Sequence, residues 1–292
     1  MPALVLAALL SQTLPYNRSR VDATNPASQC LWWLEDTVIV YHQNVDGNPD
    51  TTGQTEFTAF DKAVATWQAQ LDFCGSVSLQ EGATTTSRKV GYVDPAVVKG
   101  AVNENLVLYR QKKCTGLVSA TDACWKDDDC GNVYDCWQFN DTAIAITTTS
   151  YAPSSGRIID SDIELNQPSF VFTAVDSPIC SPPNYLQTCV ATDVQNTTTH
   201  ELGHLLGLGH FNSPGSTMSP HADPGELTKR VLDQGSKQFV CDVYPKGQVS
   251  LSCVTPQLAV ESIGSVPSGC GVAPGPAMGL LALVLGLRRK RS

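Results

Sequence analysis

Three histidines and one glutamate lie close together in the C-terminal half of the chain. The run reads His200-Glu201-Leu202-Gly203-His204-Leu205-Leu206-Gly207-Leu208-Gly209-His210. On a helix, residues four apart lie on the same face one turn apart, so His200 and His204 can direct ring nitrogens at one point. A glycine can adopt a positive φ and end a helix, so Gly207 predicts a reversal that returns His210 to that point. The spacing therefore predicts a metal site with three imidazole ligands.

The chemistry that suits these ligands is that of catalytic zinc. Zinc with three protein ligands keeps a fourth position open, and the pKa of a water held there falls from about 15.7 to roughly 7. Glu201 is then predicted to be the general base, taking the proton of that water and passing it to a leaving amine. The alternative is a chance His-Glu-x-x-His on an amphipathic helix. A third histidine at the required spacing, in a chain with only five, argues against it.

A methionine follows the histidines at a distance that extends the pattern, in Ser216-Thr217-Met218-Ser219-Pro220. With this second motif the chain resembles the metzincin zinc endopeptidases, and among them the bacterial matrixin-like (matrix-metalloprotease-like) catalytic domains. The resemblance implies an α+β fold: a twisted, mostly parallel sheet with an antiparallel edge strand, an active-site helix and a Met-turn. It also implies that Met218 supports the metal site by packing, as a core methionine can.

The segments before the motif predict the elements that position it. Residues 37–41 are β-branched and aromatic, which is typical of a strand, and residues 77–79 and 105–109 predict two more. Apolar residues recur at steps of three and four over residues 55–70, which predicts an amphipathic helix with Trp67 on its buried side. This order matches the start of the matrixin domain.

Residues 142–149, Thr-Ala-Ile-Ala-Ile-Thr-Thr-Thr, have strong strand composition. The resemblance implies that this is the edge strand along which an extended substrate pairs, with Ala143, Ile144, Ala145 and Ile146 lining the substrate. Because such pairing uses the backbone, it implies a polypeptide substrate. Residues 157–166 alternate acidic and apolar, which predicts a strand with one solvated face.

The residues around the active-site helix carry further predictions. Asp193 is expected to cap the helix, and residues 226–244 are expected to form the last helix and the terminal segment of the domain. His221 either lines the pocket for the residue after the cut bond or lies on the surface.

Other metal sites are weaker candidates. Asp127, Asp128 and Asp129 could bind calcium, although adjacent carboxylates point in different directions and a solvated acidic loop is favoured. Asp160 and Asp162 are a second calcium candidate. No histidine occurs between His42 and His200, so the structural zinc that animal matrixins hold partly by histidines is not expected.

Composition and charge exclude some classes of protein. The 292 residues allow one large domain or two small ones, and 42% hydrophobic with 16% charged residues suit a globular protein. A formal net charge of −9 argues against a nucleic-acid partner, which needs a basic face. Nothing indicates an oligomer, so a monomer is expected.

Eleven cysteines indicate an oxidising compartment. No Cys-x-x-Cys pair occurs in the sequence, which argues against a second metal site. The clusters 114/124/130/136, 180/189 and 241/253 suggest local disulfides, although connectivity cannot be deduced from sequence. Cys270 is the odd cysteine. Cys30 is either a disulfide partner, which is favoured because ten body cysteines can all pair, or a latency switch on zinc of the kind known in matrixins.

The ends of the chain suggest export. Residues 1–29 are predicted to be a signal-like and linker segment, although no basic residue precedes the apolar run of residues 1–10. Residues 30–245 are the predicted matrixin-like metallopeptidase domain, residues 246–268 a linker, and residues 269–292 a sorting or anchor tail. Cys270, the apolar run and the basic end resemble the C-terminal sorting tags of myxobacteria, with a plain tail anchor as the alternative.

These observations predict a secreted or surface-displayed zinc-dependent metalloendopeptidase that contacts a membrane only through its tail. The alternative from another class is a catalytically idle zinc-fold adhesin or binding module. Glu201 argues against this alternative, because a metal scaffold has no need of a base.

Overall fold

The structure is a computed structural model that describes residues 15–253 and the backbone of residues 264–271. The predicted signal sequence at residues 1–10 and the apolar, basic part of the tail after residue 271 lie outside the described residues. Among the helices of the described part, none is both long enough and apolar enough to cross a membrane.

The strands form one large sheet and two small pairs. They are β1 (Asn17–Arg18), β2 (Val38–Gln43), β3 (Ser78–Glu81), β4 (Asn105–Arg110), β5 (Ala143–Tyr151), β6 (Ile158–Asn166), β7 (Phe172–Thr173), β8 (Thr192–Asp193), β9 (Leu208–Gly209) and β10 (Gly264–Gly271). The large sheet has the order β10-β5-β6-β4-β2-β3. Its pairs are parallel from β3 to β6, whereas β5 runs antiparallel to β6 and β10 antiparallel to β5. The predicted mixed sheet, mostly parallel with an antiparallel margin, is confirmed.

Four α-helices accompany the sheet in the described part of the chain: α1 (Thr55–Cys74), α2 (Cys130–Tyr134), α3 (Val194–Leu205) and α4 (Gln234–Val243). Helix α1 confirms the predicted amphipathic helix and packs on α3, where the fully buried Trp67 donates from Nε1 to the Thr199 carbonyl at 2.8 Å. The predicted last helix lies within residues 226–244 and occupies Gln234–Val243. The Asp233 carboxylate accepts from the N–H groups of Gly235 and Ser236, which fixes the start of α4 at Gln234.

The solvated face predicted for β6 is wrong. Apart from its intermediate second residue, β6 is buried throughout. The Asp162 carboxylate accepts hydrogen bonds from the N–H of Gly91, in the loop that precedes β4, and from the N–H of Leu106 in β4. Acidic side chains that suggest a solvent face are here used to hold a loop.

The segment before Cys30 packs on the body and is not a free linker over residues 15–29. Strand β1 pairs antiparallel with β9, which follows α3 directly in the chain. Tyr16 is buried, with its ring centroid 5.5 Å from that of Phe239 in an edge-on contact.

Five disulfides join the ten cysteines of residues 15–253. They are Cys30–Cys253, Cys74–Cys241, Cys114–Cys136, Cys124–Cys130 and Cys180–Cys189. The local clusters predicted at 114–136 and 180/189 are confirmed, as is a disulfide for Cys30. A local 241/253 bridge is wrong, because both of its members reach distant partners.

Candidate metal centre

Helix α3 begins at a well-defined cap. Asp193 Oδ1 accepts from the Asn196 N–H at 2.7 Å, which confirms the predicted N-cap. The same carboxylate is paired with Arg230, whose Nε donates to Oδ1 at 2.8 Å. The hydroxyls of Thr198 and Thr199 donate hydrogen bonds to backbone carbonyls one turn earlier in the helix. Their polar groups are therefore satisfied, and the run of three threonines stays helical inside the protein. The cap and this packing fix the helix that carries the histidines.

The structure brings the three predicted ligands together. His200 and His204 are buried on α3, and His210 is half-buried on the chain that follows. The nearest potential ligand atoms of the three all lie within 4.8 Å of one another. His200 Nε2 and His204 Nε2 are 3.1 Å apart. Tetrahedral zinc at about 2.0–2.1 Å from each nitrogen would separate two ligands by about 3.3 Å.

Backbone carbonyls fix the orientation of two of the rings. His200 Nδ1 lies 2.7 Å from the Thr217 carbonyl oxygen, and His204 Nδ1 lies 2.8 Å from the Leu208 carbonyl oxygen. A carbonyl can only accept, so both Nδ1 atoms carry the proton and both Nε2 lone pairs face the centre. Two facing lone pairs repel each other unless a cation lies between them. The donor set therefore fits a metal ion.

Burial keeps these histidines neutral. Burial, and next the neighbouring His204 and His210, hold the pKa of His200 well below its usual value. Burial and His210 lower the pKa of His204 to about 3. A neutral imidazole is the form that binds a metal, so the site needs no deprotonation at neutral pH.

Gly207 turns the chain so that His210 reaches the other two histidines. Its φ is +97°, and a Cβ there would lie 2.5 Å from the Leu31 carbonyl oxygen, so only glycine fits. Its N–H donates to the His204 carbonyl at 2.8 Å, which closes the helix end. Asn17 of β1 then donates from Nδ2 to the His210 carbonyl at 2.8 Å. The N-terminal segment thus holds the third histidine from outside.

Glu201 is completely buried beside the histidines. Its Oε2 accepts a hydrogen bond of 2.7 Å from the hydroxyl of Thr147, a buried residue of β5. The sheet therefore orients the carboxylate from the side opposite its own helix. Sequence reasoning did not single out Thr147, because nothing in a run of three threonines marks one as the partner of a residue 54 positions away.

Met218 lies beneath the helix that carries the ligands. It is buried, and a Cβ on Gly203 would lie 2.3 Å from its sulfur. The helix and the methionine thus approach each other at a point where α3 has no side chain. His221, three residues later, is exposed and lines a cavity of about 360 Å³ with Ser216 and Ser219.

The residues predicted to line a substrate lie on β5 as expected, with one difference. Ile144 and Ala145 are buried, whereas Ala143 and Ile146 are half-buried. The sequence predicts an edge strand here, but β10 pairs along its outer side, with Ala145 opposite Cys270 and Ile146 opposite Gly269. Strand β5 is therefore an edge only for the body formed by residues 15–253.

The calcium candidates gain no support from the structure. Within residues 15–253, the three histidines are the only group of three or more His, Cys, Asp or Glu residues that could hold a metal. Asp127 and Asp128 are exposed, as in the solvated loop that the sequence favours. Asp160 and Asp162 are buried in β6 and form no such group.

Comparison with known proteins agrees with this geometry. Residues 126–244 match the family model of the matrixins. The matched region includes β5, α3, all three histidines, Glu201 and Met218. The chain is also 34% identical over 103 residues to Metalloendoproteinase 1-MMP of Arabidopsis thaliana. That alignment covers 34% of this chain and 26% of the relative, so the chain spans about a quarter of the relative's length. These similarities support a matrixin-like metallopeptidase.

Proposed function

We propose that this protein is a zinc-dependent metalloendopeptidase with His200, His204 and His210 as ligands of one catalytic zinc ion and Glu201 as the general base. One observation carries the proposal: the Nε2 lone pairs of two buried, neutral histidines face each other at 3.1 Å, beside a buried carboxylate. The matrixin match over this region supports the same reaction class.

Zinc, when bound, makes water more acidic and polarises a carbonyl group. The chain supplies the remaining parts of the mechanism. Glu201 takes the proton of the attacking water and returns it to the leaving amine. Thr147 holds the carboxylate of Glu201, and the carbonyls of Thr217 and Leu208 hold the ligand tautomers. Met218 supports α3 by packing in the role of the Met-turn methionine.

The substrate in this proposal is a polypeptide. An extended peptide would pair with the outer edge of β5 and so present its backbone next to Glu201. Pairing of this kind leaves sequence preference to the pockets, one of which is the cavity that His221 lines together with Ser216 and Ser219.

We further propose that the protein is exported and acts outside the cell or at its surface as a monomer. Five disulfides within residues 15–253 suit an oxidising compartment. This proposal includes the signal-like start and the sorting or anchor tail. It also includes the predicted segment boundaries, with new segments beginning at residues 30, 246 and 269.

The test compares the full chain with Glu201→Gln, which keeps the shape of the side chain and removes the base. Exposed Glu81 of β3 offers the matched control Glu81→Gln. Peptide-library cleavage and bound zinc are measured for all three. We expect about one zinc per chain throughout, cleavage by wild type and Glu81→Gln, and a loss of at least roughly a hundredfold in kcat for Glu201→Gln. If all three bind zinc and none cuts, the zinc-fold binding module replaces the proposal.

A further inference from the structure

The C-terminal segment Gly264–Gly271 lies where a substrate would lie. Strand β10 pairs antiparallel with β5 from Gly264 opposite Tyr151 to Gly271 opposite Ala143. The register places Ser268 opposite Thr147, the residue that contacts Glu201. The centre of β10 is therefore opposite the part of β5 that touches the proposed active site.

The direction of the backbone groups shows which residues of β5 pair with β10. The Ser161 N–H of β6 donates to the Asn105 side chain at 2.9 Å, so it points away from β5. Its partner Thr149 consequently points its own N–H and carbonyl away from β6 and towards β10. Because these groups alternate along a strand, Thr147 and Ala145 also present theirs to β10.

The sequence of β10 fits this alternation. Its N–H groups directed at β5 belong to Val266, Ser268 and Cys270, which lie opposite Thr149, Thr147 and Ala145. Pro267, which has no N–H to donate, lies between them opposite Thr148. Proline is tolerated in a ladder at such an outward position. The segment therefore uses the backbone groups of β5 that a substrate would need.

The attachment of the segment favours this pairing. Cys253 is bonded to Cys30, and ten residues, 254–263, separate it from β10. A short tether raises the effective concentration of a linked partner to the order of millimolar. A free peptide must compete with a strand that is already present at this concentration.

We propose that Gly264–Gly271 is a built-in competitor that occupies the substrate edge of β5, so that a polypeptide substrate binds only when this segment leaves. The inference rests on the proposed function, because it describes the regulation of that site. It predicts that the segment raises KM for peptides and leaves kcat unchanged, since a displaced segment takes no part in the chemistry.

The test uses two matched serine-to-proline variants of the full chain. Ser268→Pro removes an N–H directed at Thr147, whereas Ser265→Pro removes an N–H that points outward. Hydrogen exchange of residues 143–151, followed by mass spectrometry, reports the pairing without any need for activity. We expect faster exchange in Ser268→Pro and wild-type exchange in Ser265→Pro. Equal exchange in all three chains would overturn the assignment of β10 to this edge.

Peptide cleavage then tests the competition. In Ser268→Pro we expect KM to fall roughly tenfold with kcat unchanged, because the substitution weakens the pairing of one strand. Ser265→Pro should have the KM and kcat of wild type. Faster exchange with an unchanged KM would reject competition while the peptidase proposal stands. If none of the zinc-loaded chains cuts any peptide, the proposed function fails and the inference fails with it.

Discussion

The hydroxyl of Thr147 donates a hydrogen bond of 2.7 Å to the carboxylate of Glu201. The donor lies on β5 and the acceptor on α3, so the bond depends on how the sheet and the helix pack. Both residues are completely buried, which strengthens the bond and fixes its geometry. The strand proposed to bind the substrate thus also orients the proposed base.

Replacing Thr147 tests this orientation. In Thr147→Val the carboxylate loses its donor but keeps a neighbour of similar shape, and we expect kcat to fall between about tenfold and a hundredfold. Bound zinc should not change. Thr147→Ser keeps the hydroxyl and should retain most of the rate. Equal kcat values in the valine and serine variants would show that the hydrogen bond does not position the base.

Gly207→Ala tests the turn that brings back His210. The substitution puts a side chain at a φ of +97° and against the Leu31 carbonyl oxygen, and we expect it to lower the free energy of unfolding by about 2–4 kcal/mol. Misplacement of His210 should also weaken zinc binding at least tenfold, measured by competition with a chromogenic chelator.

Gly247 provides the control for this substitution. Its φ is +72°, it is exposed, and a Cβ there meets nothing within 4 Å. Gly247→Ala should cost only about 1 kcal/mol of stability and leave zinc affinity unchanged. A loss of zinc binding in both variants would indicate a general effect of unfolding.

The buried pair Asp160 and Asp162 predicts a pH dependence. Burial raises the pKa of Asp160 to about 6, and burial together with Asp160 raises that of Asp162 well above its usual value. A raised carboxyl pKa means that the folded state binds the proton more tightly, so stability falls as pH rises from about 4 through 6. Asp160→Asn should therefore stabilise the fold by roughly 3 kcal/mol at pH 8 and have little effect at pH 4.

Thermal unfolding at the two pH values measures this effect. Exposed Asp127 gives the control Asp127→Asn, which should leave Tm unchanged at both pH values. A stabilisation by Asp160→Asn that is the same at both pH values would exclude ionisation as its cause.

The buried histidines predict the opposite dependence on pH. The pKa of His204 is lowered to about 3 by burial and His210, so without metal the folded chain keeps this ring neutral while the unfolded chain protonates it below about 6.5. The free energy of unfolding of the chelator-treated chain should therefore decrease as the pH is lowered. For such a histidine the decrease at pH 5 is about 2 kcal/mol. His204→Asn should reduce this slope, whereas exposed His221→Asn should retain it. Added zinc should raise Tm at pH 7.5 and lose this effect in acid, because its ligands must be neutral.

Short-range patterns allowed the sequence to predict much of the fold. The spacing of His200, His204 and Gly207, the Asp193 cap and the period of α1 depend on neighbours within a turn or two of helix, and the structure contains each local feature. The Cys180–Cys189 bridge spans only nine positions, so it could also be predicted from the sequence.

Long-range relationships could not be predicted in this way. The bond from Thr147 to Glu201 depends on the register between a strand and a helix, and Cys30–Cys253 joins residues 223 positions apart. The composition of Gly264–Gly271 is typical of a linker. Its strand conformation depends on hydrogen bonds offered by β5, which have no signal in the segment itself.

The Cys30–Cys253 bridge makes almost the whole body a covalent ring. Loops of a folded protein are the preferred sites of nicking by proteases. Any single cut between residues 30 and 253 leaves both fragments joined, so the three histidines and β5 are not separated by dissociation. The ring thus allows a nicked molecule to keep its site, provided that the disulfides stay oxidised.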